Sequence, residues 1–449
     1  MRAAIRAKAA QAIAAAASLT GKRFGLLVAS SVVATSAIVA SAMTGAGGSG
    51  ALAALLARNL GAHNAAVLGA PAPSSSPAHS APAPPPKESE APAEPSHSPP
   101  APVPAPAPAP EPTGEEPAKK APEAEPETGP VKHVFVISLS SPGYEQAFGT
   151  QSQMPYLSGT LRPQGVLLDH YAALDAGALP NGIAAIGGQP PNPATMAGCP
   201  EYEAFTTAPN SKGVLSGPGC VYPVETQTIA DQLTIAQLKW HAYVGGMVDE
   251  AGKPADCVHP DPGEPSTAAQ PGGYAPSQNP FTYFHSLLDL GDCAENDVPL
   301  EQLDRDLAKA EKTPGYSFIA PSPCEAGTAA QCAPGAVEGA AAADAFLSTW
   351  VPKILASPAY KADGALVVAF SAVNPASPEG PAPTGEGLRT GALLVSPFAQ
   401  PGATDSAAYD TYSLLRSSED LLGLEPLGLA AGPKVKSFAP GLTEQNGGD

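Results

Sequence analysis

Two pairs of small residues follow apolar segments that have the composition of buried strands. Ser140 and Ser141 come shortly after the run VFVI, and Ser371 and Ala372 come directly after the run ALVVAF. Ligands of open parallel sheets bind beyond the carboxyl ends of the strands, so chemistry is expected at these positions. Serine hydroxyls are poor neutral ligands for hard cations, which prefer carboxylate or carbonyl oxygen. The sequence therefore offers hydroxyl groups, and no carboxylate, at both strand ends.

The other residues with evident chemistry are six cysteines, all of which lie after residue 198. An even number of cysteines in an exported chain indicates disulfides. Pairs of neighbours along the chain are favoured, because each would close a short loop rich in Gly and Pro. No pair has the close spacing of zinc ligands, which argues against a zinc site. The predicted pairs are Cys199–Cys220, Cys257–Cys293 and Cys324–Cys332.

Strand and helix patterns alternate around these positions. Besides the two runs named above, apolar segments predict strands at residues 240–244, 316–320 and 391–396. This alternation is typical of an α/β fold with a mostly parallel sheet flanked by helices. Helices are predicted at residues 156–161, 183–186, 228–238, 281–288, 300–310, 341–356 and 412–422.

The first third of the chain differs in composition from the rest. Residues 71–130 are mostly Ala, Pro, Glu and Ser and contain no Ile, Leu, Phe, Trp, Tyr or Cys. Such a segment cannot bury enough apolar surface to offset its ordering entropy, which predicts a disordered stalk. An Ala- and Gly-rich segment, residues 44–70, precedes the stalk. Residues 131–449 remain as one folded domain that is long enough for a full core.

The charge of the chain is concentrated in that domain. The formal net charge is -19, and nine residues of each sign precede Val131, so the domain carries the whole excess of acid. A surface this acidic repels a phosphate backbone. Nucleic acid is therefore excluded as a partner.

An uncharged run of 20 residues, at positions 24–43, predicts export. Its length suits a helix that crosses a hydrocarbon core ~30 Å thick. Five basic residues precede it, which places residues 1–23 in the cytoplasm and the domain outside. Residues 40–42, Ala-Ser-Ala, also fit a signal-peptide cleavage site, so both a membrane anchor and a cleaved signal remain open. The domain is expected outside the cytoplasm, anchored to the cell membrane or secreted.

Ten segments, in the expected order along the chain, resemble a bacterial phosphoesterase family of the alkaline-phosphatase superfamily. That family includes secreted acid phosphatases and phospholipase-C-like enzymes. The resemblance covers about residues 131–430 and implies an alkaline-phosphatase-like fold. The segments are VKHVFVISLSSPGYEQAFG, MPYLSGTL, LPNGIAAIGGQ, TIADQL, KWHAYV, NPFTYFHSLLD, VPKILASPAY, GALVVAF, GALLVSPFAQPG and YSLLRSSEDLLGLEPLG.

The resemblance implies a divalent metal that carboxylates, an amide and a histidine hold at the strand ends. The Glu-Asn pair that follows the family's first strand is Ser140-Ser141 here, and its Asp-Glu pair after GALVVAF is Ser371-Ala372. Thr411 stands where the family has a histidine, two residues before SLLR. None of these side chains is a carboxylate or an imidazole. The comparison with the family pattern therefore predicts impaired metal binding.

The segment that carries the family's nucleophile is also altered. The family has a Ser or Thr just before a Pro-Asn pair, and this chain keeps Pro180-Asn181. Residues 171–181, YAALDAGALPN, contain no Ser, Thr or Cys. Asp175 is the candidate nucleophile of the segment, since aspartate carries a phosphoryl group in other enzymes. A turn or a helix cap is the alternative role for its side chain.

Three functions are consistent with this sequence. The substitutions favour a catalytically impaired homologue that needs no cofactor and binds an unknown ligand at the cell envelope. The second candidate is an active extracytoplasmic phosphoesterase with a rebuilt site, which would use a divalent metal and hydrolyse phosphomonoesters or phospholipids. The third is a structural envelope protein displayed on its stalk. Retention of a stoichiometric divalent metal by the purified protein would separate the first two.

Overall fold

The computed structural model describes residues 130–249, 251–266, 272–372 and 387–443. The basic N-terminus, the apolar run at 24–43 and the predicted stalk lie outside these ranges. Within the described ranges, no helix is long and apolar enough to cross a membrane.

A mixed sheet of eight strands forms the centre of the domain, and a second sheet of three short strands lies beside it. The strands are β1 (His133–Leu139), β2 (Val166–Leu168), β3 (Tyr171–Ala173), β4 (Trp240–Val244), β5 (Asp297–Pro299), β6 (Tyr316–Ala320), β7 (Gly364–Phe370), β8 (Leu388–Arg389), β9 (Ala392–Val395), β10 (Thr404–Asp405) and β11 (Tyr409–Asp410). The large sheet has the order β10-β2-β9-β7-β1-β6-β4-β5, and the small one β11-β3-β8. In the large sheet β9 is antiparallel to both of its neighbours, and the other pairs described are parallel.

Strand β1 lies at the centre of the large sheet because it is apolar on both faces. Val134 and Val136 belong to the core on one face, and Phe135 and Ile137 belong to the core on the other. Side chains alternate between the faces of a strand, so a continuous apolar run implies a layer of helices on each side. The predicted α/β class with a mostly parallel sheet flanked by helices is confirmed.

The helices cover both faces of the sheet. A π-helical turn, Tyr156–Leu161, and five 3₁₀ turns, Arg162–Gln164, Pro276–Gln278, Pro280–Tyr283, Ala329–Gln331 and Gly428–Ala431, complete the described elements. The α-helices are α1 (Tyr144–Phe148), α2 (Ala178–Gly187), α3 (Pro193–Met196), α4 (Ile229–Ile235), α5 (His285–Leu288), α6 (Asp292–Asn296), α7 (Gln302–Asp306), α8 (Gly339–Ala356), α9 (Pro358–Asp363), α10 (Thr411–Leu422) and α11 (Pro440–Thr443).

The helix predicted at residues 281–288 is wrong as a single element. The chain forms a 3₁₀ turn followed by α5, with Phe284 extended between them. Backbone groups on either side of Phe284 pair with Tyr222 instead of continuing a helix: Tyr222 N donates to Tyr283 O at 2.7 Å, and His285 N donates to Tyr222 O at 2.9 Å. A contact distant in the sequence therefore overrides the local helical pattern.

Two other predicted helices are shorter than expected. Helix α4 ends at Ile235, and Gln237 adopts a left-handed backbone conformation with φ of 61°. That conformation cannot continue a right-handed helix, so the segment predicted to residue 238 ends early. The helix predicted at residues 300–310 is reduced to α7.

A buried carboxyl group in α10 makes the stability of the domain dependent on pH. The Glu419 side chain is 0% exposed, and its Oε1 accepts a hydrogen bond of 2.9 Å from Leu427 N. Its Oε2 has no hydrogen-bond partner among the described residues. Burial raises the pKa of this carboxyl from 4.5 to about 9. The folded domain therefore holds a proton on Glu419 at neutral pH.

We expect Glu419→Gln to remove part of this pH dependence. Between pH 5 and pH 9 the folded state binds the proton and the unfolded state does not, so the free energy of unfolding falls as pH rises. The loss amounts to about 3 kcal/mol between pH 5 and pH 7. Urea unfolding of Glu419→Gln and of the wild type across this range measures the difference.

The exposed Glu425 provides the matched control, because Glu425→Gln changes the same functional group at the surface. The difference in the free energy of unfolding between Glu419→Gln and the wild type should grow with pH. The free energy of unfolding of Glu425→Gln should follow that of the wild type at every pH. Parallel pH curves for all three proteins would contradict a neutral Glu419.

Candidate functional site

A cavity of about 320 Å³ opens where β1, β6 and β7 end. Ser140 directly follows β1 and lines the cavity, as does Ala372, which follows β7. Residues 176–179, which lead into α2, form a further wall. The structure therefore brings together three of the segments in which the sequence predicts chemistry.

The walls of this cavity are uncharged and mostly apolar, with a small number of polar side chains. No described residue that lines it is an Asp, Glu, Lys, Arg or His. The remaining wall is made by small or apolar side chains such as Leu179 and Met196. The polar lining residues are Ser140, Thr195, Ser277, Gln278, Thr328 and Gln331.

Ser140 is held in place by the segment opposite it. The residue is 3% exposed, and its Oγ accepts a hydrogen bond of 2.7 Å from Gln278 Nε2. The backbone N–H groups of Ser140 and Ser141 both donate to Ala326 O, at 2.9 and 3.1 Å. The residues after β1 are thus tied to the loop after β6 and to the 3₁₀ turn at Gln278.

Ser371 is engaged by the neighbouring strand and does not line the cavity. Its Oγ donates to Leu139 O at 3.1 Å and accepts from Ser138 Oγ at 2.8 Å. Its backbone N–H also donates to Leu139 O, at 2.6 Å. The hydroxyl of Ser371 therefore completes the end of the sheet, and Ala372 presents only a methyl group to the cavity.

Asn181 fixes the loop in which the family carries its nucleophile. Its side chain is fully buried and bonds to both ends of that loop: Oδ1 accepts from Leu174 N at 2.7 Å, and Nδ2 donates to the carbonyls of Asp175 and Gly177, both at 2.8 Å. Thr411 Oγ1 donates to the same Oδ1 at 3.2 Å. The loop is therefore held from behind by one amide.

The carboxylate of Asp175 forms part of a turn. Its Oδ1 accepts a hydrogen bond of 2.8 Å from Gly177 N, and Asp175 is not among the residues that line the cavity. Thr411 is 2% exposed and lies behind the loop, where it contacts Asn181 and not the cavity. Asp175, the candidate nucleophile, and Thr411, at the position of the family's histidine, therefore both form hydrogen bonds that stabilise the local structure.

Comparison with known protein families identifies the family to which this chain belongs. The sequence profile of the Phosphoesterase family matches residues 131–425 of the chain. The chain belongs to the Phosphoesterase family. The resemblance indicated by its ten motifs is thereby confirmed, and the cavity lies at the strand ends where that resemblance places the site. No curated protein sequence matches the chain.

Solved structures with a similar fold are distant in sequence. One is a protein of the alkaline phosphatase superfamily from Vibrio parahaemolyticus, with 13% identity, a TM-score of 0.42, and coverage of 67% of this chain and 68% of that one. Another is the lipoteichoic acid synthase LtaP from Listeria monocytogenes, with 9% identity, a TM-score of 0.41, and coverage of 72% and 79%.

The side chains of this family member do not fit a divalent metal. Hard cations bind several oxygen ligands, of which carboxylates supply most of the charge. The five family ligand positions carry three serines, an alanine and a threonine. The hydroxyls of Ser140, Ser371 and Thr411 are each already hydrogen-bonded to protein groups. A cation here would have to break these bonds and would gain no compensating negative charge.

The sequence analysis missed more than half of the residues that line the cavity. Gln278 and Ser277 come from a 3₁₀ turn, and Thr328 and Gln331 come from the loop after β6. One signal could have found Thr328 and Gln331. Residues 316–320 are predicted as a buried strand, so the segment that follows this strand begins at the same end of the sheet as Ser140. No local pattern marks Gln278, because its position depends on the fold.

Two of the three disulfides anchor walls of the cavity. The bonds join Cys199 to Cys220, Cys257 to Cys293 and Cys324 to Cys332, the pairs that proximity along the chain predicts. Cys199 follows Gly198, a lining residue, and the Cys324–Cys332 bond closes the loop that carries Thr328 and Gln331. These bonds limit the freedom of irregular segments that few strands or helices support.

Proposed function

We propose that this protein acts outside the cytoplasm, binds an uncharged polar ligand in the cavity, and does not hydrolyse phosphate esters with a divalent metal. The observation that carries the proposal is the chemistry of the cavity wall. Six described lining residues carry hydroxyl or amide groups, and none is charged. The hydroxyls of Ser140 and Thr195 already bond to protein groups, so Ser277, Gln278, Thr328 and Gln331 are the residues that can bond to a ligand. Hydroxyls and amides both donate and accept hydrogen bonds, which suits a ligand with hydroxyl or amide groups of its own.

A phosphate ester is a poor occupant of this cavity on electrostatic grounds. Catalysis of phosphoryl transfer relies on positive groups that stabilise the charge of the transferred phosphoryl group. The first residues of α2 line the cavity, but the partial charge at a helix end is worth only ~0.3–1 kcal/mol to an anion. The net charge of -19 adds a repulsive field. Nothing described in the wall offsets these costs.

The disulfides support the proposed location. Three disulfides form among six cysteines, and such bonds persist in oxidising compartments. The basic and apolar pattern of residues 1–43 agrees with passage out of the cytoplasm. Whether the chain is then anchored or released depends on the fate of residues 24–43.

The alternative of an active enzyme with a rebuilt site receives no support from Asp175. Its carboxylate accepts a hydrogen bond from Gly177 N within its own turn and does not line the cavity. A lone carboxylate also cannot supply the several ligands that Mg²⁺ or Ca²⁺ requires.

Metal content and phosphatase activity of the full chain test the proposal together. After incubation with Mn²⁺ or Zn²⁺ and gel filtration, we expect clearly substoichiometric metal by elemental analysis. Hydrolysis of nitrophenyl phosphate should equal that of a protein-free blank with and without metal, because no wall group binds the ion. Asp175→Asn and the exposed Asp261→Asn should behave alike. Metal-dependent hydrolysis that Asp175→Asn abolishes and Asp261→Asn preserves would establish the rebuilt enzyme instead.

A further inference from the structure

A buried carboxyl group lies against one disulfide, away from the cavity wall. Asp297, the first residue of β5, is 0% exposed, and its Oδ2 lies 3.8 Å from Sγ of Cys293. One ligand-type atom from each of Cys257, Cys293 and Asp297 falls within 4.8 Å of the others. A carboxyl group this close to a sulfur can exchange a proton with it once the disulfide opens.

The Asp297 carboxyl is held in position but is not neutralised by a cation. Its Oδ2 accepts a hydrogen bond of 2.7 Å from Asn279 Nδ2, and its backbone carbonyl accepts one of 2.9 Å from Cys257 N. Its Oδ1 has no partner among the described residues. The charged or titratable groups that face it are the Asp256 carboxylate and the Tyr274 hydroxyl, and neither is a cation.

The two cysteines of this disulfide differ in their exposure to solvent. Cys257 is half-buried, whereas Cys293 is fully buried. A thiolate from solvent therefore meets Cys257 first, and the departing sulfur is the one beside Asp297. This difference in exposure matches the order of events in thiol–disulfide exchange, in which attack on one sulfur expels the other.

We propose that the Cys257–Cys293 disulfide is a thiol-exchange site, at which Asp297 donates a proton to the departing Cys293 sulfur and later takes it back. The substrate class is a small or protein-borne thiol.

The exchange balances in both directions. The external thiolate forms a bond to Sγ of Cys257, the Cys257–Cys293 bond breaks, and its electron pair leaves on Cys293 as a thiolate that takes the proton of Asp297. A second thiolate then attacks the external sulfur of this mixed disulfide, forms a disulfide with it and releases Cys257 as a thiolate, which completes a two-electron reduction by two thiols. In the reverse direction the Asp297 carboxylate removes the proton of Cys293, whose thiolate displaces the external thiol from Cys257.

The acidity of Asp297 suits this role near neutral pH. Burial raises the pKa of its carboxyl from 3.8 to about 7, and the nearby Asp256 contributes in the same direction. The group is therefore protonated below pH 7 and ionised above it, and a proton donor with a pKa near the working pH is efficient.

The other two disulfides lack this arrangement and serve as internal references. Both sulfurs of Cys199–Cys220 belong to fully buried residues, so no thiol reaches them in the folded state. Cys332 is half-buried, but the hydrogen-bond partners of the Cys324 and Cys332 sulfurs among the described residues are backbone carbonyls and not a carboxyl group.

The test follows the reduction of the oxidised full chain by dithiothreitol. Samples taken with time are alkylated, and peptide mapping gives a separate rate for each disulfide at pH 5.5–8.5. We expect Cys257–Cys293 to open first. Its rate, divided by the concentration of dithiothreitol thiolate, should fall about tenfold as pH rises through 7, because the proton donor is lost. The normalised rate of Cys324–Cys332 should stay constant.

Asp297→Asn removes the exchangeable proton and keeps the shape of the side chain. Its normalised rate at Cys257–Cys293 should be about tenfold lower at pH 6 and independent of pH. If this variant fails to fold, the wild-type pH profile alone decides. A flat normalised profile, or opening of Cys257–Cys293 no faster than Cys324–Cys332, overturns the proposal. Rates that rise with low concentrations of urea would indicate global unfolding and overturn it as well.

Discussion

Replacement of Asn181 by Leu should destabilise the domain by about 4 kcal/mol, because it leaves several buried polar groups without partners. The amide satisfies the N–H of Leu174 and the carbonyls of Asp175 and Gly177, and it accepts the Thr411 hydroxyl. Each buried group that loses its partner costs about 1–3 kcal/mol, and the loop can relax toward water to recover part of that. Urea unfolding monitored by circular dichroism measures the loss.

Thr411→Val provides the matched control for this prediction. It removes the longest of the four hydrogen bonds to Asn181 and the bond between the hydroxyls of Thr411 and Tyr171, and it leaves the other three bonds to Asn181, so the expected loss is about 1 kcal/mol. If Asn181→Leu costs no more than Thr411→Val, the amide does not organise the loop. The comparison also tests whether Asn181 acts by holding the loop that contains Asp175 and Gly177.

The central strands could be predicted from the sequence because their apolar runs are local signals. Strands β4 and β6 have the predicted bounds, and β1 and β7 contain the predicted runs. Parallel strands buried on both faces need nearly continuous apolar residues, so composition alone identifies them. The carboxyl ends of neighbouring parallel strands lie at the same end of the sheet, so the residues after β1 and β7 are expected together there.

The short strands and the antiparallel setting of β9 could not be predicted in this way. Strands β10 and β11 are two residues long, and pairing with β2 and β3 defines them rather than their own composition. Likewise, the pairing of Phe284's neighbours with Tyr222 breaks a segment whose pattern is helical. Long-range hydrogen bonds decide these cases, and a single sequence carries no trace of them.

The site shows the same division between local and distant information. Comparison with the family pattern located Ser140 and Ala372, which line the cavity. It also selected Thr411 and Asp175, which the fold turns away into local hydrogen bonds. The contact of Asp297 with Cys293 escaped the sequence analysis entirely, because a buried aspartate cannot be told from a solvated one by its neighbours along the chain.

Reintroduction of the family's ligands should restore metal binding before it restores turnover. The variant combines Ser140→Glu, Ser141→Asn, Ser371→Asp and Thr411→His. Leu139 pairs with Phe370 in the parallel register of β1 and β7, so the residues that follow them lie on adjacent strands at one edge. Two carboxylates at that spacing repel each other without a cation and bind one well, so we expect about one ion per chain.

Metal should then stabilise the variant against heat. Binding to the folded state alone adds about 2.7 kcal/mol when the ion is present at 100 times its dissociation constant, so the melting temperature should rise with Mn²⁺ concentration. Ser140→Gln with Ser371→Asn is the matched neutral control and should show no such rise. Thr411→His should contribute least of the four changes, because Thr411 lies behind the loop against Asn181.

Turnover should require a fifth change that supplies the hydroxyl nucleophile. Ala178 lines the cavity at the first position of α2, two residues before Pro180 and within the segment that carries the nucleophile in the family. Adding Ala178→Ser to the metal-binding variant should give metal-dependent hydrolysis of nitrophenyl phosphate, because a bound cation polarises the phosphoryl oxygens and activates an adjacent hydroxyl. Hydrolysis by the four-change variant without Ala178→Ser would show that the chain already contains a nucleophile. Absence of metal binding in both variants would show that the strand ends have diverged beyond the side chains themselves.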